Sequence, residues 1–437
     1  MNTLIMAAQL ILGISILVLL HEFGHYIAAR AFGIRVEKFF LFFDAWGFKL
    51  ISFKIGETEY GIGWLPLGGY VKISGMIDES LDKAQLAEEP QPYEFRSKPA
   101  WQRLIVMVGG VLVNLILGII IFTFVLLQYE KSYLPVEEVN AYGVYASPSG
   151  TDAGFRSGDK IIGIDGNKIE RFKDAQSVKL MFGGDVQVDR SGQTLDVVIP
   201  ENFYKKEAGN LRQRFLESYN VPLIVEEVSQ GYPAEKAGII SGDQIISLDS
   251  ISVKSYGVFR EIIHGFAGQS VPLNVIRGQD TVQLVVDIDS TAFIGISAHM
   301  PYELKNYTIG SALKYGYKDA IDMLVVNIKG LGKVFSGEEK ATESIQGPIG
   351  IARIYGAEWV WSKFWFITGL LSLILAFMNI LPIPALDGGH VLFLMFEIIT
   401  RRKPSDKFLE YAQIAGMIIL MAIMVFAVGN DIFKLFR

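Results

Sequence analysis

Residues 17–30, LVLLHEFGHYIAAR, place two histidines and a glutamate at the end of an apolar run. The run covers residues 1–20 and contains no charged side chain. At roughly 1.5 Å per residue, a helix of this length covers about 30 Å, the thickness of a bilayer core. We therefore predict a transmembrane helix that ends in ionisable residues. A cleaved signal peptide is the alternative, but no basic residue precedes Arg30.

The composition limits the possible classes of protein. Of the 437 residues, 51% are hydrophobic, the formal charge is −6, and there is no cysteine. The hydrophobic fraction favours a membrane protein, and the absence of long like-charge blocks argues against a nucleic-acid partner. Without cysteine, any metal must be bound by histidines and carboxylates.

Three further uncharged apolar runs, at residues 104–128, 364–386 and 412–428, predict three more spans. Basic residues beside the spans, at 30–38, 96–103 and 401–407, indicate cytoplasmic segments. Both termini and residues 130–363 then lie outside the cytoplasm. The sequence predicts a polytopic membrane protein of the α+β class with four transmembrane helices.

The long outer stretch contains a repeat. AGFRSGDKIIGIDGNKI at 153–169 is followed by AGIISGDQIISLDSISV at 237–253. Both copies resemble PDZ domains of the bacterial protease-associated kind. Such a resemblance implies binding of an extended peptide by strand addition, whereas a structural spacer without a ligand is the alternative.

Residues 53–76, FKIGETEYGIGWLPLGGYVKISGM, alternate in polarity and predict a β-hairpin or meander that leans into the membrane. The following acidic segment, residues 77–95, is typical of a solvated linker. Residues 307–336 predict an amphipathic helix, placed at the outer membrane surface or packed on the outer domains.

His21 and His25 are four positions apart, so on a helix they are neighbours that can bind one zinc ion. In the HExxH pattern the intervening Glu22 is the general base that activates the hydrolytic water. Buried in a membrane, these side chains cost several kcal/mol unless they are paired or bind a metal. The alternative is that they lie in the interfacial zone and merely end the span.

Catalytic zinc usually takes three protein ligands, so a third must exist. Near the membrane it is His390 or a carboxylate, and we favour Asp387, the sole ionisable residue between positions 364 and 389. Pro382 and Pro384 predict that the backbone unwinds there and turns Asp387 toward another helix. Alternatively, Asp387 only caps a helix over residues 388–400.

Two asparagines lie inside apolar runs. Asn114 and Asn379 can each make hydrogen bonds between helices. Asn379 precedes the proline pair, and it can also bind the substrate backbone or the transition-state oxygen.

The chain resembles the site-2 proteases, which are intramembrane zinc metalloproteases, and most closely the bacterial RseP type with tandem PDZ domains. The resemblance covers nearly the whole length. It rests on HEFGH at 21–25, NILPIPALDG at 379–388 and LPLGGYVKISGM at 65–76, with FRSKPAWQR at 95–103 and GPIGIAR at 347–353.

This resemblance implies that His21, His25 and Asp387 bind Zn²⁺ and that Glu22 activates water. It also implies that Asn379 and Pro382 help to hold the substrate and that the β-loop pairs with an unwound substrate strand. Loop glycines would permit its close approach, namely Gly61, Gly63, Gly68 and Gly69.

The implied activity is cleavage of transmembrane segments of single-pass proteins, such as anti-sigma factors or remnant signal peptides, in regulated intramembrane proteolysis. The implied location is the bacterial inner membrane, with extracytoplasmic PDZ domains that exclude bulky substrates until another protease trims them. A membrane scaffold with a structural metal and an ion transporter are the competing classes.

We predict the following organisation: a first transmembrane helix with HExxH at 1–30, a cytoplasmic and membrane-associated β-loop region at 31–100, a second transmembrane helix at 101–129, PDZ domains at 130–215 and 216–300, an amphipathic helix and connector at 301–362, a third transmembrane helix with the LDG motif and a following helix at 363–400, and a fourth transmembrane helix at 408–431.

Overall fold

A computed structural model describes residues 2–76, 89–203 and 215–436. Most of the predicted acidic linker, residues 77–88, lies outside the described residues. The chain forms two compact units, the first comprising Met1–Glu130 with Thr308–Arg437 and the second comprising Lys131–Tyr307.

The described helices differ greatly in length, and the long ones belong to the first unit. In chain order they are α1 (Asn2–Ala31), α2 (Ala100–Val125), α3 (Val136–Asn140), α4 (Pro148–Asp152), α5 (Phe172–Ala175), α6 (Pro233–Lys236), α7 (Tyr256–Ile262), α8 (Ile309–Phe335), α9 (Ala341–Ser344), α10 (Pro348–Tyr355), α11 (Trp361–Ile380), α12 (Asp387–Thr400) and α13 (Asp406–Leu435).

The described strands fall into small sheets. In chain order they are β1 (Val36–Phe43), β2 (Lys49–Ile55), β3 (Thr58–Gly63), β4 (Leu65–Ile73), β5 (Ser132–Tyr133), β6 (Tyr145–Ala146), β7 (Lys160–Ile164), β8 (Asn167–Lys168), β9 (Gly184–Arg190), β10 (Gln193–Ile199), β11 (Leu216–Glu217), β12 (Val225–Val228), β13 (Gln244–Leu248), β14 (Ile251–Ser252), β15 (Ser270–Arg277), β16 (Asp280–Asp287), β17 (Ile296–Ala298) and β18 (Lys305–Asn306).

The prediction of four apolar spans is confirmed. Among the described residues, four helices are long and apolar enough to cross a membrane: Asn2–Ala31, Ala100–Glu130, Trp361–Ile380 and Lys407–Leu435. The HExxH sequence, residues 21–25, lies within α1, which continues to Ala31. The third span ends at Ile380, just before the two prolines that predict its end.

Helix α2 is the centre of the first unit, because α1, α8, α11 and α12 all pack against it. A helix, α8, is present where the sequence predicts an amphipathic one, and it also packs against α11. Small residues permit these close contacts. A Cβ on Gly24 of α1 would lie 2.4 Å from the carbonyl oxygen of Gly109 in α2, so only glycine allows the two backbones to approach this closely.

The β-loop is a four-stranded sheet in the order β2-β3-β1-β4. The predicted hairpin is present as β2 and β3, but the meander interpretation is wrong. Strand β1 lies between β3 and β4, parallel to β3 and antiparallel to β4. Its sequence, VEKFFLFF, lacks the alternation that indicates a strand with one solvated face, so the pattern alone does not reveal β1. Strands β2 and β4 are therefore the sheet edges.

Helix α13 is held at both ends by buried polar side chains. Near its start, the Gln413 side-chain oxygen accepts a hydrogen bond from the backbone of Ala385 at 3.2 Å. Near its end, the Asp431 carboxylate accepts hydrogen bonds from the backbone of Gly347 and Gly350, at 3.0 and 2.9 Å, and so caps the start of α10.

The second unit contains two halves of the same construction. The sheets run β8-β7-β9-β10 and β14-β13-β15-β16, and each half adds a separate strand pair, β6 with β11 and β12 with β17. The ladder is interrupted between Ile161 and Gly163 in one half and between Ile245 and Ser247 in the other. These are equivalent positions of the repeated sequence.

Each half buries an aspartate from its Ser-Gly-Asp turn. Asp159 is paired with Arg190 at 2.7 Å, and Asp243 is paired with Arg277 at 2.8 Å. Burial raises the pKa of the Asp243 carboxyl, but hydrogen bonds from Arg277 and the Ile240 backbone outweigh this effect and hold it below its usual value. The buried carboxylates therefore fasten each turn to the strand that carries the arginine.

Replacing Asp243 with alanine removes this link and leaves the Ile240 amide without its acceptor. We expect a loss of about 2–3 kcal/mol of stability, typical of hydrogen bonds to a buried charge. Thermal unfolding of the full chain in detergent should show the loss as an earlier transition. Asp280→Ala, at an exposed position of the same sheet, is the matched control. Equal unfolding temperatures for the two variants would contradict a stabilising role of Asp243.

Candidate metal centre

Two imidazoles meet on one face of α1. The Nε2 atoms of His21 and His25 lie 3.2 Å apart, and the ring centroids are separated by 4.8 Å. Helical spacing of four residues produces this arrangement, because such side chains lie one above the other. Only 5% of His25 is exposed. The pair is therefore a buried double nitrogen donor.

Asp387 supplies a third donor from the opposite side. Its Oδ2 atom lies 3.2 Å from His21 Nε2 and 3.3 Å from His25 Nε2. Of the two predicted alternatives, His390 lines the same cavity, but the described cluster of potential ligands contains only His21, His25 and Asp387, whose ligand atoms lie within 4.8 Å of one another. Asp387 does not cap α12 either, since the N-cap is Leu386.

The proline turn between α11 and α12 places Asp387. The backbone leaves the helix at Leu381 and re-enters one at Asp387, with Ala385 in a left-handed conformation at φ 76°. Helix α13 supports the turn closely. A Cβ on Gly416 would overlap the Pro384 carbonyl oxygen, so α13 needs glycine there.

Helix α2 supports both imidazoles from behind. The Nδ1–H of His25 donates to the carbonyl oxygen of Val106 at 2.8 Å, and the Asn114 carboxamide lies 3.2 Å from Nδ1 of His21. Asn379 of α11 approaches the other nitrogen of His21, with 3.3 Å between Nδ2 and Nε2.

The sequence does not indicate that Val106 and Gln413 support the site, since a backbone carbonyl and a distant amide leave no local pattern.

A cavity of about 790 Å³ opens beside the cluster. Glu22 and Asn379 line it, and so does most of strand β4, including Gly68 and Gly69. A Cβ on Gly69 would lie 2.9 Å from Val18, so this glycine lets β4 approach α1. The cavity thus combines the cluster, the predicted base and a sheet edge.

The other predicted substrate residues lie elsewhere. Gly61 and Gly63 belong to the inner strand β3, where a Cβ would collide with Phe40 and Phe43. Their small size serves packing within the sheet. Pro382 lies in the turn before α12 and is not among the described residues that line the cavity.

The donor set fits a zinc ion. Two imidazole nitrogens and one carboxylate oxygen are a ligand combination of catalytic zinc sites. The Oδ2 atom of Asp387 is buried without a well-aligned hydrogen-bond donor, a costly arrangement that a cation at this position relieves. With His25 Nδ1 bonded to Val106, its Nε2 keeps a free lone pair on the cluster side.

Comparison with known proteins agrees with this chemistry. A family profile described as Peptidase family M50 matches residues 9–423, nearly the entire chain. The chain belongs to peptidase family M50. This is the site-2 protease family, so the resemblance found in the sequence is confirmed.

Relatives of this M50 protease match over almost their full lengths. A protein of Neisseria meningitidis whose name describes a zinc metalloprotease is 28% identical over 97% of this chain and 98% of its own. The regulator of sigma E protease of Haemophilus influenzae is 27% identical, over 97% and 98%, and RseP of Salmonella typhimurium is 27% identical, over 98% of both chains. The M50 protease is therefore a zinc metalloprotease, as predicted.

Proposed function

We propose that this M50 protease is an intramembrane endopeptidase, which hydrolyses a peptide bond within or beside the transmembrane segment of a single-pass protein. One observation carries the proposal. The His21–His25–Asp387 cluster is buried among helices of spanning length, and the cavity beside it is bounded by the edge strand β4. A zinc centre at the surface of a soluble domain would need neither feature.

His21, His25 and Asp387 are the residues that would hold the zinc ion. When bound, zinc supplies a Lewis acid that polarises the scissile carbonyl and lowers the pKa of water. Glu22 lines the same cavity, and its carboxylate takes the proton of the attacking water and returns it to the leaving amide nitrogen. Asn379, also in the cavity, offers its amide to the substrate carbonyl.

Strand β4 is the proposed docking edge for the substrate. Among the described strands it pairs only with β1, so its other edge can receive a further strand. A peptide bond inside a helix is shielded by neighbouring turns, and an unwound segment recovers its main-chain hydrogen bonds by pairing with β4. Gly68 and Gly69 permit close approach there. Pro382, which the family resemblance implies as a substrate contact, lies outside this cavity, so its proposed role is to shape the turn that carries Asp387.

Charge distribution supports an orientation in the bacterial inner membrane. The basic segments that flank the spans, residues 30–38, 96–103 and 401–407, place these ends on the cytoplasmic side. Both termini and the second unit, Lys131–Tyr307, are then extracytoplasmic.

We further propose that the two halves of the second unit act as PDZ domains. The Ala-Gly and Gly-Asp turns of each repeat and the matching strand order support this assignment. Peptide or protein segments would bind at these domains, which would restrict access until an upstream protease has shortened the substrate.

The substrates we propose are anti-sigma factors and remnant signal peptides. Two relatives carry the name regulator of sigma E protease, and they match this chain over nearly its whole length. A single apolar helix that unwinds locally would suit the β4 edge.

Removal of zinc tests the proposal. The purified protein should cleave a detergent-solubilised single-span substrate, lose this activity completely with a strong zinc chelator, and recover it with zinc but not with magnesium, which prefers oxygen ligands. Product masses from the same reaction show whether the cut lies in the span. Full activity in the metal-free protein, or cuts confined to soluble segments, would refute the proposal; a complete absence of cleavage would favour a scaffold.

A further inference from the structure

Asn114 is a polar side chain inside the second apolar helix, and only 1% of it is exposed. Its main-chain oxygen accepts a hydrogen bond from Ser372 Oγ of α11 at 2.7 Å. The side chain is therefore not needed to join α2 to α11 at this point. Instead the carboxamide faces Nδ1 of His21, at 3.2 Å.

The two histidines require the same protonation pattern to bind one metal ion. Their Nε2 atoms face Asp387, so each Nε2 must keep a free lone pair and each Nδ1 must carry the proton. His25 meets this requirement, since its Nδ1–H donates to the Val106 carbonyl. His21 needs an equivalent acceptor, and the Asn114 carboxamide is the group in position.

The carboxamide oxygen satisfies this need. Oxygen and nitrogen of a carboxamide have nearly the same shape, so the hydrogen bonds decide which of them faces the imidazole. With Nδ2 toward His21, Nδ1 of His21 would have to be unprotonated, and the proton would then lie on Nε2, the nitrogen that faces Asp387. With Oδ1 toward His21, this oxygen accepts the Nδ1 proton and leaves Nε2 free for the metal.

Gly110 shows that this face of α2 is shaped for the imidazoles. It precedes Asn114 by one helical turn, on the same face. A Cβ at this position would lie 2.4 Å from His25 Nε2 and 2.7 Å from His21 Cε1. Any side chain here would displace both rings, so the second apolar helix contributes a slot at Gly110 and an acceptor at Asn114.

We propose that Asn114 is a positioning residue, which fixes the tautomer and the ring orientation of His21 by accepting its Nδ1 proton. This inference rests on the proposed zinc centre and deepens it, since it assigns a role in metal binding to a helix that provides no ligand. Outer-shell partners of metal-bound histidines typically raise metal affinity by about 10- to 100-fold.

The experiment compares zinc affinities of full-length variants in detergent, by competition with a chromophoric chelator. Asn114→Leu and Asn114→Ala remove the acceptor, and we expect affinity to fall by about 10- to 100-fold. Asn114→Asp keeps an oxygen in the same place and should stay within a few-fold of the parent. Cobalt(II) absorption in the visible range should change in the first two variants, because the orientation of a ligand changes.

Ser372→Ala is the matched control, since it alters the same buried helix contact without touching the carboxamide. It should bind zinc like the parent, and thermal unfolding of the metal-free proteins separates a general loss of packing from a specific loss of affinity. If Asn114→Leu does not fold, the zinc affinity of Asn114→Ala alone tests the role of the Asn114 acceptor.

The metal centre and the role of Asn114 are overturned by different results. A parent protein that binds no zinc would overturn the proposed metal centre. A parent that binds zinc, together with acceptor-free variants that bind it equally well or with Asn114→Asp as weak as Asn114→Ala, would overturn the role of Asn114 alone.

Discussion

Glu22→Gln is expected to leave zinc bound while cleavage falls by at least about a hundredfold, because the amide cannot accept the proton of the attacking water. Glutamine has nearly the same shape, and Glu22 is not part of the three-residue ligand cluster. The measurement pairs the zinc content of the purified variant with single-turnover cleavage of a model membrane substrate.

Glu358→Gln provides the control, since this glutamate is exposed in the first unit. It should cleave at the parental rate. Unchanged cleavage by Glu22→Gln would exclude Glu22 as the base. A loss of zinc from this variant would instead make Glu22 a ligand and require a different base.

Asp387→Ala should weaken zinc binding more than the loss of an outer-shell residue such as Asn114 does. It removes one of three donors, so zinc affinity should fall by more than the roughly 100-fold that marks the upper range for outer-shell residues, and cleavage should disappear. Chelator competition measures the affinity. Asp387→His keeps a donor at this position and should retain more zinc than the alanine variant.

His390→Ala tests the alternative third ligand that the sequence left open. His390 lines the cavity outside the described ligand cluster, so we expect this variant to bind zinc like the parent. If zinc were lost from His390→Ala and kept by Asp387→Ala, the third ligand would be His390, and the turn before α12 would have to rearrange on metal binding.

The sequence predicts the parts of this fold that depend on local pattern. Twenty uncharged residues suffice to indicate a span, and the spacing of His21 and His25 suffices to place them on one face of α1. Pro382 and Pro384 likewise predict the end of α11, because proline cannot continue a helix.

Features that depend on distant pairing could not be predicted in this way. Strand β1 lacks the alternation of a half-buried strand, and its partners β3 and β4 are not recognisable from residues 36–43 alone. The close approach of the Gly24 and Gly109 backbones could not be predicted from the sequence either, since it joins residues of different helices.

The contribution of α2 to the site is only partly visible in the sequence. Gly110 and Asn114 have the same four-residue spacing as His21 and His25, within an otherwise apolar run. A hydrogen bond between helices explains a lone asparagine in a span equally well. Only the distance to His21 Nδ1 distinguishes the two explanations.

The fastening of α13 at both ends limits how a substrate can enter from the lipid. If this helix moved outward, the hydrogen bonds that Asp431 accepts from the start of α10 and that Gln413 accepts from the Ala385 backbone would break. The second break would also release the turn that carries Asp387. Lateral opening on this side would therefore disturb Asp387, the proposed third ligand, and we expect a substrate that enters here to be cleaved only after the helix has closed again.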